Sequence, residues 1–239
     1  LLSASWTTNL GDGIALAAVF GTLPTPATSS IAPWDADGEP LPKYDPFIEV
    51  DHDPGFYVGA EWQWDQRARL KVFHYDNHAD PEAETAAGEY AWQTWFDHVA
   101  GEVALPGDVG LLGQWIGGST RMGEDLGPWR VQDIDFHAAY LMLTRPFGAH
   151  RLSVRYEWFA VEPFNDPEGY TNKENGNAVA VAWLWQATDA LRVGAEYLQI
   201  AAERCGPEAP CAWVASGLPR STREDVFQVT ARWRFDARF

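Results

Sequence analysis

The sequence predicts an all-β fold, a transmembrane antiparallel up-and-down β-barrel with about eleven strands in this chain. Three observations lead to it: strict alternation at the C-terminal end, the spacing of turns and loops, and many tryptophans without a helical span. From Phe227 to Phe239 every odd position is apolar and every even position is polar or charged. This is the period of a strand. The last strand of a soluble β-sandwich is the alternative interpretation of the segment.

The composition suits strands that face lipid on one side. Hydrophobic residues make up 46% of the 239 residues, and 13 are Trp, yet the mean hydropathy is -0.29. No apolar run approaches the roughly 18 residues of a spanning helix. In a membrane barrel, lipid-facing and lumen-facing residues alternate and cancel in any window. We therefore assign residues 1–239 to a single β-barrel domain.

Period-two alternation bounded by turn residues predicts strands along the whole chain. In order they are Leu2–Leu10, Ile14–Thr22, Phe56–Trp64, Ala68–Asp76, Tyr90–Leu105, Val109–Ser119, Val131–Phe147, Arg151–Val161, Asn177–Thr188, Leu191–Ala202 and Asp225–Phe239. Several alternate cleanly, whereas the run Ile14–Phe20 is apolar on both faces. The segment Tyr90–Leu105 changes phase near Asp97–Val99, which predicts a β-bulge there.

The connections between these strands are alternately short and long. Short turns follow every second strand, at 11–13, 65–67, 106–108, 147–149 and 188–190. Long polar loops fill the other connections: Pro24–Gly55, Asn77–Glu89, Thr120–Arg130, Glu162–Gly176 and Glu203–Glu224. Short periplasmic turns and long outer loops are typical of bacterial barrels. A sandwich has no reason to place all its long loops on alternate connections.

The odd strand number has a consequence for closure. Bacterial barrels usually have an even number of strands and both termini in the periplasm. With eleven, the first and last strands would run parallel. The parity predicts that the chain is the C-terminal part of a larger barrel of roughly 12–18 strands, completed by N-terminal strands or by another chain. A further strand around Pro46–Val50 is the alternative.

Charged residues on the faces opposite the lipid are candidates for a wet interior, because a charge at mid-depth in hydrocarbon costs about 2–4 kcal/mol. The lumen and selectivity candidates are Arg155, Arg192, Arg232, Arg234, Glu61, Glu157 and Glu196. Asp133 and Asp135 are assigned to the same interior. The four arginines would form a stripe that selects anionic solutes. The alternative is a structural network of cross-strand ion pairs.

The remaining candidates concern the membrane interface, the cysteines and the loops. Aromatic residues predicted for a membrane girdle are Trp62, Trp64, Trp158, Trp233, Phe235 and Phe239. Cys205 and Cys211 would close a disulfide loop in an oxidising compartment and remain two thiols in a reducing one. Asp35–Glu39 only loosely matches a calcium loop, and solvated loop charge is favoured, so no metal or cofactor is predicted. The net charge of -17 makes nucleic acid an unsuitable partner.

The alternation that ends on Phe239 resembles the terminal strand of Gram-negative outer-membrane barrels. Gly55–Asn77 and Arg145–Phe159 are similar to segments of porin-like proteobacterial proteins that have a further N-terminal portion. The resemblance implies a location in the cell outer membrane, among lipid and lipopolysaccharide, with Phe239 read by the assembly machinery. It implies passive diffusion of small hydrophilic solutes and no enzymatic activity. The alternatives are a non-conducting barrel that docks a partner or surface polysaccharide, and a hydrolase centred on Asp135 and His137.

Overall fold

The chain folds into one antiparallel sheet whose strands follow each other in sequence order. The computed structural model describes residues 2–9, 14–23, 50–51, 53–85, 88, 90–125, 130–163, 173–205, 217 and 219–234. The strands are β1 (Leu2–Asn9), β2 (Ile14–Leu23), β3 (Gly55–Trp64), β4 (Ala68–Asp76), β5 (Gln93–Leu105), β6 (Val109–Asp125), β7 (Arg130–Phe147), β8 (His150–Pro163), β9 (Glu174–Gln186), β10 (Leu191–Arg204) and β11 (Ser221–Trp233). Among the described residues, each strand pairs only with its neighbours in the chain.

The predicted all-β, up-and-down order is confirmed, and each predicted strand has its counterpart in the structure. The main difference is length at the loop ends. β6 continues to Asp125 and β10 to Arg204, while β9 begins at Glu174. These extensions are mostly polar. Backbone pairing does not require apolar side chains, so the ladders continue beyond the apolar pattern.

The β-bulge predicted near Asp97–Val99 is wrong. β5 keeps one continuous register against both β4 and β6 from end to end. The apparent change of phase arises because Asp97 occupies a position on the otherwise apolar face, opposite His74. The His74 Nδ1 and Asp97 Oδ1 atoms lie 2.8 Å apart. A register shift is found instead between Met122 and Asp125, where β6 meets β7.

The sheet is not closed within the part of the chain that the structure describes. Its two edges are β1 and β11, and no ladder joins them among those residues. Because eleven strands alternate in direction, β1 and β11 run the same way. Of the segment Pro46–Val50, residues 46–49 lie outside the described ranges. In those ranges no helix is both long and apolar enough to cross a bilayer.

Tight turns join the strands at one end of the sheet. The amide of Arg67 donates to the carbonyl oxygen of Trp64 at 2.8 Å. Asp65 and Gln66 between them both have positive φ, at 44° and 55°. This backbone matches the right-handed twist of a hairpin. We call the end of the sheet where these short turns join the strands the turn end, and the end where the long loops join them the loop end.

The β4–β5 loop is folded against the loop end. Asn77 is 2% exposed. Its Nδ2 donates to the Trp92 carbonyl at 2.5 Å, and its Oδ1 accepts from the Thr94 amide at 2.7 Å. A Cβ atom on Gly55 would lie 2.7 Å from the Asn77 Cα, so β3 approaches this loop closely. Asn77 therefore fixes the path of the chain between β4 and β5.

Asn77→Ala is expected to loosen this loop. The substitution leaves the half-buried Trp92 carbonyl and Thr94 amide without this partner, which costs up to about 1–3 kcal/mol for each such group. Limited proteolysis should then cut residues 78–92 several times faster than in the unmodified protein. His78→Asn is the control, because His78 is exposed and has a positive φ that asparagine tolerates. Equal cleavage of both variants would contradict a fixing role for Asn77.

Candidate functional site

One face of the sheet is apolar from β3 to β11. Directly opposed residues in a ladder lie on the same face, so the registers assign every position to one of two faces. The apolar face carries Phe56, Val58, Trp64, Leu70, Val72, Trp95, Val99, Val103, Leu105, Trp115, Leu141, Leu143, Phe147, Leu152, Val154, Tyr156, Trp158, Val181, Trp185, Tyr197, Phe227, Val229 and Trp233. All are exposed, and only Val161 and Val226, among the described large hydrophobic residues that are exposed, lie on the other face.

Burial in this sheet is inverted with respect to a water-soluble protein. In β8, Val154, Tyr156 and Trp158 are exposed, whereas Arg155 and Glu157 between them are half-buried. The hydrophobic residues that are buried in the described part of the chain are all alanines or cysteine, with no large side chain among them. A continuous exposed apolar surface of this size marks contact with a membrane or another protein.

The apolar face is a band of limited height. In β3 it extends from Phe56 to Trp64, about 26 Å along the strand at about 3.3 Å per residue. Allowing for strand tilt, this is of the same order as the roughly 25 Å apolar band of outer-membrane barrels. Toward the loop end the same face becomes largely polar, and its residues there include His74, Asp97, Ser119, Asp135, His137, Asn177, Gln199 and Asp225.

The assignment of Asp133 and Asp135 to the interior is wrong. Both share the apolar face with Leu141 and Leu143, because β7 keeps one alternation throughout and its apolar residues end at Ala139. Asp133 accepts from the Arg121 Nε at 3.4 Å. The His137 ring stacks on Trp158, with ring centroids 4.7 Å apart. These contacts engage His137 and Asp133 in packing and pairing.

The described girdle candidates Trp62, Trp64, Trp158 and Trp233 all lie on the apolar face. The Trp62 and Trp64 rings are stacked with centroids 6.4 Å apart. Phe235 and Phe239 lie outside the described residues. Further tryptophans on this face were missed by sequence reasoning, although the same alternation would have identified them: Trp95, Trp115, Trp183 and Trp185. The girdle role of all these residues stays a prediction.

The opposite face, called here the charged face, carries the predicted lumen candidates Glu61, Arg155, Glu157, Arg192, Glu196 and Arg232. Arg234 directly follows β11 and lines a cavity together with Arg192 and Arg232. Glu61 is the centre of an ion-pair group, 3.1 Å from the Arg69 Nε and 3.0 Å from the Lys71 Nζ. Glu102 lies 3.5 Å from the same Arg69 nitrogen. This part of the face is close to charge-neutral.

The predicted arginine stripe is divided into two places. Arg192 and Arg232 are directly opposite each other across β10 and β11, and Arg234 lines the same cavity. Arg155 lies elsewhere, opposite Ala180. It forms an ion pair with Glu157, and its guanidinium lies 5.9 Å from the centre of the Tyr140 ring. The structure therefore brings three of the four candidates together.

The charged face is concave. A cavity of about 640 Å³ is lined from this face by strands β3 to β9, through residues that include Gln63, Arg69, Glu102, Thr144 and Arg151. A flat sheet would not bring seven strands around one cavity. The concave side therefore holds the polar residues of the turn end, and the apolar band lies on the convex side.

The loop half of the charged face is aromatic, which sequence reasoning missed. Phe73 lies 5.6 Å from Tyr57 and 6.0 Å from Phe96 between ring centroids. Tyr75 stacks on Phe96 at 5.0 Å. The signal was present in the alternation, since all four positions alternate with apolar-face residues of their strands. The aromatic cluster makes the concave face aromatic toward the loop end and charged toward the turn end.

Two other predicted features fall partly or wholly outside the described residues. Cys205 is disulfide-bonded and 1% exposed, but Cys211 lies outside those residues, so the predicted pair stays a prediction. Asp35–Glu39 also lies outside them. In the comparisons with known proteins, no family model, no curated protein and no solved structure matches this chain.

Proposed function

We propose that this chain forms the wall of an outer-membrane β-barrel, a porin-like channel for passive diffusion of small hydrophilic solutes. The observation that supports it most is the inverted burial: exposed aromatic and aliphatic side chains on the convex face, and charges on the concave face. A water-soluble sheet would bury the first set and expose the second. In an outer-membrane barrel, the apolar convex face would contact lipid and the charged concave face would contact water.

The charges on the concave face favour a water-filled interior. Arg69, Lys71 and Glu61 form ion pairs but stay partly exposed, and such pairs retain water contact at modest energetic cost. Lumen charges also set the ion preference of a pore. The surplus of arginine at the turn end of this face favours anions.

The proposal includes closure of the sheet by further strands, supplied by this chain or by another. β1 and β11 have unpaired backbone groups on their outer sides within the described residues, and open edges are not tolerated in hydrocarbon. The surrounding partners would be lipid and lipopolysaccharide, with Phe239 as the residue that the assembly machinery recognises. A location in the outer membrane follows from the same proposal.

Planar-bilayer recording tests the channel. We expect stepwise conductance from the folded full chain and a preference for anions. Arg232→Ala should lower the anion-to-cation permeability ratio about twofold to fivefold, the factor that corresponds to roughly 0.5–1 kcal/mol of charge interaction in water. Arg223→Ala is the control, because Arg223 is on the convex face beside Asp225. Equal ratios for both variants would contradict a lumen position for Arg232.

The aromatic cluster of the loop half favours a second candidate, a non-conducting barrel that binds a partner. Tyr57, Phe73, Tyr75 and Phe96 present apolar surface to the interior, which an aqueous pore does not need. Absence of conductance from correctly folded protein in bilayers would favour this candidate over the channel.

A further inference from the structure

A group of arginines lies at the turn end of the concave face, between β8 and β11. Arg151 and Arg192 line one cavity of about 220 Å³. Arg192, Arg232 and Arg234 line a second of about 280 Å³. The two cavities share Arg192 and Gln186, so they are adjacent. We call Arg151, Arg192, Arg232 and Arg234 the arginine rim.

The arginine rim differs from the other cations of this face in lacking acidic partners. Arg69 and Lys71 pair with Glu61, and Arg155 pairs with Glu157. In the described part of the chain, no ion pair involves a rim arginine. Among the described lining residues of the two cavities, the one acidic residue is Asp189, which lines the second cavity. Four cations thus face one carboxylate in a protein whose net charge is -17.

The pairing within the rim is unfavourable unless an anion is present. Arg192 and Arg232 are directly opposite across the ladder, so their Cβ atoms are separated by about 4.5–5.5 Å. Like charges in that position destabilise a sheet. An anion between the two guanidinium groups reverses the sign of the interaction. The arrangement is therefore one that a bound anion stabilises.

Arg192 is also held in one orientation. Its Nε donates to the Gln186 Oε1 at 2.9 Å. The other guanidinium N–H donors remain available for a ligand, because a guanidinium has five donors. A guanidinium fixed in this way offers a planar pair of donors, the geometry that binds phosphate oxygens at two points.

We propose that the arginine rim is a binding site for an anion with two or more linked phosphate groups, at the turn-end mouth of the concave face. A single carboxylate can neutralise only one rim arginine, and Asp189 on the β9–β10 turn lines the cavity without forming an ion pair with any of them in the described part of the chain. A linked diphosphate supplies enough oxygens for Arg192 and Arg232 together, with Arg151 and Arg234 on either side. The proposal deepens the channel function and rests on it for its biological meaning, since the site would concentrate such anions at the pore.

Isothermal titration of inorganic pyrophosphate into the detergent-folded full chain tests the site. We expect saturable binding that weakens as salt is raised. Arg192→Gln/Arg232→Gln should weaken binding about tenfold or more, and Arg232→Gln alone about threefold. The matched control is Arg155→Gln, on the same face and the same strand as Arg151 but paired with Glu157. It should stay within about twofold of the unmodified protein.

Either of two results overturns the site: no pyrophosphate binding by the unmodified protein, or equal binding by the double variant with an unchanged circular dichroism spectrum. The titration does not depend on conductance, so the binding-site proposal and the channel proposal can fail independently of each other. Protein that binds pyrophosphate but does not conduct retains the site and excludes the channel. Protein that conducts without binding pyrophosphate retains the channel and excludes the site.

Discussion

Val154→Arg is expected to lower the free energy of unfolding of the bilayer-embedded protein by about 2–4 kcal/mol. Val154 is exposed on the convex face, within the apolar run from Leu152 to Trp158. In lipid the new guanidinium would have to leave water at mid-depth. In a water-soluble sheet, the same exposed valine would tolerate arginine within about 0.5 kcal/mol. Urea unfolding in lipid vesicles, monitored by tryptophan fluorescence, measures the difference.

Ser153→Arg is the matched control for this experiment. Ser153 is the adjacent residue of β8 and lies on the concave face, where its hydroxyl donates to the Thr144 hydroxyl at 2.9 Å. An arginine there should cost no more than about 1 kcal/mol, mainly through the lost hydrogen bond. If Val154→Arg were as stable in vesicles as Ser153→Arg, the convex face would not be the lipid-facing one.

Gly118→Ala is expected to destabilise the sheet by about 1–3 kcal/mol, as overpacking does when the backbone has to move. A Cβ atom on Gly118 would lie 2.1 Å from the Trp95 carbonyl oxygen and 2.7 Å from the Phe96 Cα. Both are backbone atoms of β5, which cannot turn away as a side chain can. β5 and β6 would have to separate locally. The measurement is again the free energy of unfolding in vesicles.

Gly101→Ala provides the comparison on the partner strand. Its Cβ atom would meet the Arg69 carbonyl oxygen at 3.5 Å, an ordinary contact, and then the flexible end of Leu70 at 3.9 Å. Alanine at this position should be neutral or slightly stabilising, since glycine weakens a strand interior. Similar losses of unfolding free energy for the two alanine variants would show that the close approach of β5 is not the reason why position 118 requires glycine.

The strand order was predictable because alternation does not depend on what lies outside the sheet. Period two marks a strand whether one face meets lipid or a protein core, as Phe56–Trp64 illustrates. The face of the sheet on which a polar residue lies was harder to predict than the strand order. Asp133 and Asp135 are polar residues on the convex face, beyond the end of the apolar band. Their face is found only by following the alternation of β7 from Leu141 back to these two residues. Their charge alone suggests the concave face, which is wrong.

The sequence was sufficient to predict which residues share the charged face, but not which of them lie close together. Alternation placed Arg155, Arg192 and Arg232 on one face, which the ladders reproduce. It did not indicate that Arg155 would pair with Glu157 within its own strand. Nor did it show that Arg151 would border the same cavity as Arg192, because that depends on sheet curvature. Curvature arises from many strands together and leaves no local signature.

The strictly sequential pairing of strands bears on how the protein folds. The longest connection that a hairpin closes is residues 24–54, between β2 and β3. Because the entropy of loop closure grows only slowly with loop length, the loss at each step stays modest. Contacts that are local in sequence form quickly. Growth can therefore proceed strand by strand from either side of a formed hairpin, with each new segment templated by the last. If the sheet closes as proposed, forming the seam would be the slow step, because distant parts of one polypeptide, or two polypeptides, would have to pair there.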